Sequence, residues 1–246
     1  MTVLHIHAFK WGDMYGAEDV NRLRAMLARN LTVPHVFHCS TEAPEGLRPD
    51  IVVHPLPAVD FCDWDPGFAR KVAIFSADFL GLEGELLLQI DLDMVIIGNV
   101  DFVADRPEED FLIARGRNQA SNSRGHSAIM RHRIGTMTDV WERLIADPGH
   151  AVAVAQSHRN PPGYICDQRW VDHAIPDMHF FEDGRIVYFR QDCNARADHQ
   201  NPTGIAAPPE GARIVSFAGK MKPQHVMDGS SGTWRHAPFV RQHWHE

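Results

Sequence analysis

Glu85-Leu86-Leu87-Leu88-Gln89-Ile90-Asp91-Leu92-Asp93-Met94-Val95-Ile96-Ile97-Gly98 is an apolar run interrupted by two carboxylates spaced i, i+2. Successive strand side chains alternate faces, so Asp91 and Asp93 are expected to point the same way from the end of a buried strand. Two carboxylates so placed repel each other and lose hydration, which calls for a multivalent cation or a dense set of donors. Such a pair offers oxygen ligands to Mg2+ or Mn2+, with a diphosphate filling the remaining positions. Asp-x-Asp also serves as a plain cap on a turn. Its place after a Leu/Ile-rich strand and before a second apolar strand favours the cation.

Working outward, Val3 to Phe9 reads as a first strand, and a loop with Gly12 and Gly16 leads into a helix from about Ala17 to Asn30. Val20, Leu23 and Leu27 share one face of that helix. The loop carries neither Gly-x-Gly-x-x-Gly nor a Walker lysine, so it is no dinucleotide or P-loop site. Strands are expected at Val36 to Cys39 and Ile51 to Leu56, a helix at Gly67 to Asp78, then strands at Val95 to Ile97, Phe111 to Arg115 and Ser127 to Ile134. A helix is expected from Thr136 to Ala146. Alternation of this kind predicts an α/β fold, a mostly parallel sheet flanked by helices, with ligands at the carboxyl ends of its strands. Asp147 to Tyr164 and Asp192 to Arg213 read as irregular segments, each either a wall of a binding site or a surface excursion. No repeat or linker divides residues 1–246, which read as one domain.

Composition narrows the chemistry. The 246 residues carry a net charge of -8 and a pI near 6.0, which argues against a basic nucleic-acid stripe. Cys39, Cys62, Cys166 and Cys193 form no zinc spacing and read as free thiols. No run approaches the roughly 18 apolar residues of an integral membrane segment, and no leader pattern opens the chain. The expectation is a soluble, cytoplasmic protein. His5 and His7 share a strand face, but no carboxylate or thiolate stands at ligand spacing, so the sixteen histidines read as structural or surface residues.

Three motifs together resemble those of the GT-A glycosyltransferases, closest to the glycogenin and lipopolysaccharide galactosyltransferase family (family 8). They are Leu88-Gln89-Ile90-Asp91-Leu92-Asp93, Asp167-Gln168 opening a helix at Arg169-Trp170-Val171, and Ile214-Val215-Ser216-Phe217-Ala218-Gly219-Lys220-Met221-Lys222-Pro223. The likeness runs from residue 3 to about 224, strong at these motifs and faint between them. It implies a GT-A domain that moves a hexose from a nucleotide sugar, with UDP-sugar the expected donor, to an unidentified acceptor hydroxyl with retention. By the same resemblance Asp91 contacts metal and ribose, Asp93 binds the metal, Asp167 holds donor-sugar hydroxyls, and Gln168 lies at the sugar face from which the leaving group departs. Lys222 meets the diphosphate, Tyr15 stacks on the base with Trp11 as second candidate, and Lys71 is the basic donor contact. Asp167 also suits an N-cap, Lys222 a solvated turn, Lys71 an exposed helical lysine, and both aromatics core filling.

Two positions depart from the family pattern. Its usual third metal ligand, a His before the glycine turn, is replaced at the candidate positions by Ser216 and Ala218, with His225 the remaining imidazole nearby; a family Asn is replaced by His126. Metal affinity is therefore expected to be weaker. A haloacid-dehalogenase-like phosphatase using an Asp nucleophile, and an inactive nucleotide-sugar-binding protein of the same fold, are the rival readings.

Overall fold

The computed structural model describes residues 3–61, 66–117, 123–156, 165–197 and 204–246. In chain order the elements are β1 (Leu4–Lys10), α1 (Ala17–Asn30), β2 (His35–Thr41), β3 (Val52–His54), α2 (Pro66–Val72), β4 (Leu86–Ile90), β5 (Met94–Ile96), β6 (Phe111–Arg115), β7 (Gly125–Arg133), α3 (Thr138–Ala146), α4 (Pro148–Ala155), α5 (Asp167–Ala174), β8 (His179–Phe180), β9 (Ile186–Tyr188), α6 (Phe189–Asp192), β10 (Ile214–Ser216) and α7 (Pro238–His243). Seven strands form the larger sheet in the order β3-β2-β1-β4-β7-β6-β8, and β5-β10-β9 form a smaller one. β3, β2, β1 and β4 run parallel, whereas β7 is antiparallel to both β4 and β6. The mixed α/β architecture with a mostly parallel sheet agrees with the sequence expectation.

Period-two alternation in β1 divides two cores. Leu4, Ile6 and Ala8 pack with Val20, Leu23, Met26 and Leu27 of α1 and with the apolar strands of the smaller sheet. Phe9, on the other face, joins a core built from α2, α3, α4 and α5, with Trp170 fully buried at its centre. Several polar residues on that second face hydrogen-bond one another. His7 bridges Gln89 Oε1 (2.7 Å) and Ser40 Oγ (2.8 Å), and His5, His38 and His54 form an imidazole chain with N···N distances of 2.9 Å across β1, β2 and β3. Cys39, Cys166 and Cys193 are buried and unpaired; Cys62 lies outside the described residues.

Two expectations are corrected. The helix expected to reach Asp78 ends at Val72 and tightens into a 3-10 turn over Ala73–Phe75, whose three side chains are buried. Packing overrides the helical periodicity there, since the tighter turn keeps all three apolar residues in the core. Within the segment read as irregular from Asp147, residues 148–155 form α4. Asp147 accepts a hydrogen bond from the His150 amide at 2.9 Å, Pro148 occupies the first turn, and Ala151 and Ala155 are buried. That is a capped start with a preset φ, a signal the short Ala/Val run concealed. Residues 157–164 and 198–203 of the two irregular segments lie outside the described residues.

The step from β4 to β5 matters most. The Asp91 amide donates to the Ala128 carbonyl of β7 at 2.9 Å, while the Phe217 amide, just past β10, donates to the Asp93 carbonyl at 2.9 Å. Between them Leu92 is buried. The chain therefore leaves the large sheet at Asp91 and enters the small one at Asp93, so both acids sit on the seam between sheets.

Burial drives the pKa of His7 down to about 3 and that of His132 down to about 4; His132 also hydrogen-bonds the Ile74 carbonyl at 2.8 Å. Both imidazoles stay neutral in the fold while the unfolded chain protonates near 6.5, so their contribution is lost as pH falls from 6.5 toward 4. Stability at pH 5 is expected to drop by about 2 kcal/mol per buried imidazole relative to pH 7.5. Urea unfolding across that range should show a shallower slope for His132→Gln; an unchanged slope would remove the assignment.

Candidate functional site

Five charged side chains meet at the carboxyl end of β4, brought from segments far apart in the chain. Lys71 of α2 places its ammonium 2.8 and 2.9 Å from the two carboxylate oxygens of Asp91 and 3.4 Å from Asp167 Oδ2. Lys222 approaches Asp93 Oδ2 at 2.7 Å, and the Tyr15 hydroxyl donates to the same oxygen at 3.3 Å. The Lys222 ammonium also lies 5.2 Å from the centre of the Tyr15 ring, a cation–π distance. Gly219, at φ 95°, takes the left-handed conformation that turns the chain after β10 and brings Lys222 back over Asp93.

These groups shape one another's protonation. Burial alone would lower the Lys71 pKa, but the Asp167 and Asp91 carboxylates raise it, so the ammonium stays charged. Asp91 is raised, as burial and the neighbouring Asp93 carboxylate outweigh Lys71. Asp167 goes the other way: burial works against its charge, yet Lys71, with the Ser127 hydroxyl, holds it below the usual carboxylate range. Tyr15 is raised by burial and by the Asp93 and Asp91 carboxylates, which leaves a neutral hydroxyl donor.

Two cavities flank this cluster. The first, about 490 Å³, is walled by Trp11, Tyr15, Phe68, Lys71, Asp91, Asp93 and Asp167 among others. The second, about 580 Å³, is lined by His126, Gln168, Tyr188, Ser216, Ala218 and Trp234 together with three basic residues. The first turn of α5 divides them, Asp167 bordering one and Gln168 the other. Cys166 holds the N-cap position without a side-chain hydrogen bond, so the Asp167 carboxylate is not spent as a cap. Gln168 Oε1 and Ser216 Oγ are buried without a hydrogen-bond partner, and Asp167 Oδ2 has only the 3.4 Å ion pair with Lys71, an arrangement that a ligand bearing hydroxyls would satisfy.

Of the residues singled out for the site, all but Lys222 and His225 border one cavity or the other, and Lys222 pairs with Asp93, which does. Trp11 packs edge-on against Phe9 with ring centres 5.6 Å apart while also lining the first cavity, so it is partly core and partly wall. His126 is buried beside Tyr188, and burial and Lys71 lower its pKa to about 4. Its Nδ1 accepts from the Ala128 amide at 3.3 Å, which assigns the ring proton to Nε2. His225 is committed to the turn, its Nδ1 accepting from the Lys222 amide at 3.2 Å. Sequence reasoning missed Arg190, Arg196, Lys220 and Trp234 of the second cavity. Arg190 sits in the single turn of α6 and the other three in irregular stretches, and neither gives a periodic signal in the sequence.

Among the described residues no group of three His, Cys, Asp or Glu side chains forms a metal cluster. The side chains that could serve a cation are Asp91 and Asp93, each ion-paired to a lysine in this structure. As two oxygen donors they would suit a hard cation that takes one or two carboxylates and draws its other ligands from phosphate and water.

No family model and no curated protein sequence matches the chain. Among solved structures, a crystal structure of an active-site mutant of LgtC is similar with a TM-score of 0.59, covering 90% of this chain and 89% of that chain at 10% sequence identity. That likeness establishes the fold as GT-A-like.

Lys71 is the cation shared by Asp91 and Asp167, so Lys71→Met is expected to cost about 2–4 kcal/mol at pH 8 by leaving them uncompensated. The loss should shrink toward pH 4, where protonation relieves the repulsion. Thermal unfolding at both pH values checks this; equal stability of the two proteins at pH 8 would contradict it.

Proposed function

We propose that this protein is a glycosyltransferase that moves a hexose from a UDP-sugar to an acceptor hydroxyl with the help of Mn2+ or Mg2+. The observation that carries the reading is the convergence of Asp91, Asp93, Lys71 and Lys222 beside an aromatic-walled cavity, at the strand ends of a GT-A-like fold. LgtC, with which the fold is shared, is a family 8 galactosyltransferase. The first cavity takes the nucleotide, with Tyr15 and Trp11 offering aromatic faces to the base and Lys71 a charge beside the ribose and phosphates. Asp91 and Asp93 would hold the cation, whose chemistry when bound is to neutralise charge on the diphosphate.

The chain's own groups do the rest. Lys222, released from Asp93 by an arriving phosphate, offsets the charge that develops as the nucleotide departs. Asp167 orients hydroxyls of the donor sugar, and Gln168 presents its unpartnered carbonyl oxygen to the sugar from the second cavity. Electron and proton accounting is simple. The acceptor oxygen bonds to the anomeric carbon, the bond from that carbon to the diphosphate oxygen breaks with its electron pair on the diphosphate, and the hydroxyl proton follows to that oxygen. The carboxylate next to Gln168, Asp167, borders the first cavity and is given to the sugar hydroxyls, so the step is drawn with retention and without a covalent carboxylate intermediate.

A phosphatase using Asp91 as nucleophile draws no support from the GT-A-like fold. An inactive binder of the same fold would keep the nucleotide cavity and lose turnover, and the replacement of the family His by Ser216 is what favours that second reading.

Asp93→Asn should lower Mn2+-dependent hydrolysis or transfer of a UDP-sugar at least about a hundredfold. Lys222→Met should reduce kcat more than it raises KM, since its charge is needed most in the transition state. UDP release measured over a panel of nucleotide sugars checks both. Undiminished turnover in Asp93→Asn would remove the mechanism, UDP-dependent thermal stabilisation without turnover would identify the binder, and phosphate release from an aryl phosphate would point to the phosphatase.

A further inference from the structure

The second cavity has the wrong sign for its protein. The chain carries a net charge of -8, yet Arg190, Arg196 and Lys220 line this cavity and, among the described residues, no Asp or Glu does. The cations come from separate places: Arg190 from α6, Arg196 from the irregular stretch that follows, and Lys220 from the turn after β10. Among the described residues the nearest acid along the chain to Arg190 and Arg196, Asp192, is committed elsewhere, to Arg117 at 3.2 Å and to the Tyr188 amide at 2.8 Å. Arg196 lies over the Trp234 ring at 4.5 Å, a contact that orders the guanidinium without neutralising it. Deeper in the same cavity, Gln168 Oε1 and Ser216 Oγ are buried polar atoms with no partner. A ligand that answers both features has hydroxyls for the deep end and negative charge for the rim.

Resting on the transferase reading, we propose that the second cavity accepts an acidic saccharide, one carrying a carboxylate or phosphate near the hydroxyl to be glycosylated. The planar guanidinium fork matches either oxyanion with two parallel hydrogen bonds, and Arg190 and Arg196 are both exposed and able to reach such a group. The diphosphate of the donor does not explain these cations, because Lys71 and Lys222 already stand at the Asp91 and Asp93 pair. The rim thus selects the acceptor, and bond making and breaking proceed as in the transfer step above.

NMR-detected titration of the full chain with UDP present tests the proposal, using methyl glucuronide and glucose 6-phosphate against neutral methyl glucoside. The acidic probes are expected to bind roughly tenfold tighter at low salt, with the advantage shrinking in 0.5 M salt, where the Debye length falls to about 4 Å. Arg190→Gln combined with Arg196→Gln should abolish that preference. Equal binding of acidic and neutral probes, or a preference that survives in the double variant, overturns it. A parallel comparison of UDP-glucuronate with UDP-glucose locates the charge, and an Arg-dependent preference confined to that pair would place it on the donor and overturn the acceptor assignment. UDP affinity, read in the same samples, reports on the first cavity alone, so failure of the transferase reading is separable from failure of this one.

Discussion

Three carboxylates and two ammonium groups share the seam between the two sheets, and the arrangement holds only because each negative charge has a positive neighbour. Asp91, Asp93 and Asp167 would repel one another and lose hydration if left unpaired there. Lys71 answers Asp91 and Asp167, and Lys222 answers Asp93 at 2.7 Å. Such pairs add little net stability, but removing either partner is costly. The cluster is suited to exchange: phosphate competes for the lysines, and a cation competes for the carboxylates.

Backbone topology makes the cluster possible. Asp91 is tied to the large sheet through Ala128 and Asp93 to the small one through Phe217, with Leu92 buried between them as a pin. The carboxylates are consequently fixed by two separate hydrogen-bonded frameworks rather than by a free loop. α5 enters the same region, and one residue of helical rotation turns Asp167 toward one cavity and Gln168 toward the other. Ligands in the two cavities would thus meet at one seam, one beside Asp167 and the other beside Gln168.

Much of this was legible in the residues because it rests on local rules. The alternation in Leu4 to Lys10, the apolar face of Ala17 to Asn30 and the buried run Leu86 to Ile90 each follow from side-chain periodicity, and they became β1, α1 and β4. Local rules failed where tertiary packing chose among alternatives. Ala73 to Phe75 left the helix so that three apolar side chains could stay buried, and Pro148 to Ala155 became a helix through one Asp cap that an Ala/Val run obscured. The basic rim formed by Arg190, Arg196 and Lys220 had no sequence signal, because nothing local links those positions.

By itself the sequence determined the α/β class, the burial of β4 and the presence of two acids at its end, since strand alternation and hydrophobic burial act over a few residues. Only the tertiary structure decided which lysine pairs with which carboxylate, that Asp167 is free of capping, that His225 is held by its own turn, and that cations gather around the second cavity. Charge pairing depends on distances of a few ångströms between residues as far apart as Asp93 and Lys222. Those distances exist only after the two sheets have joined.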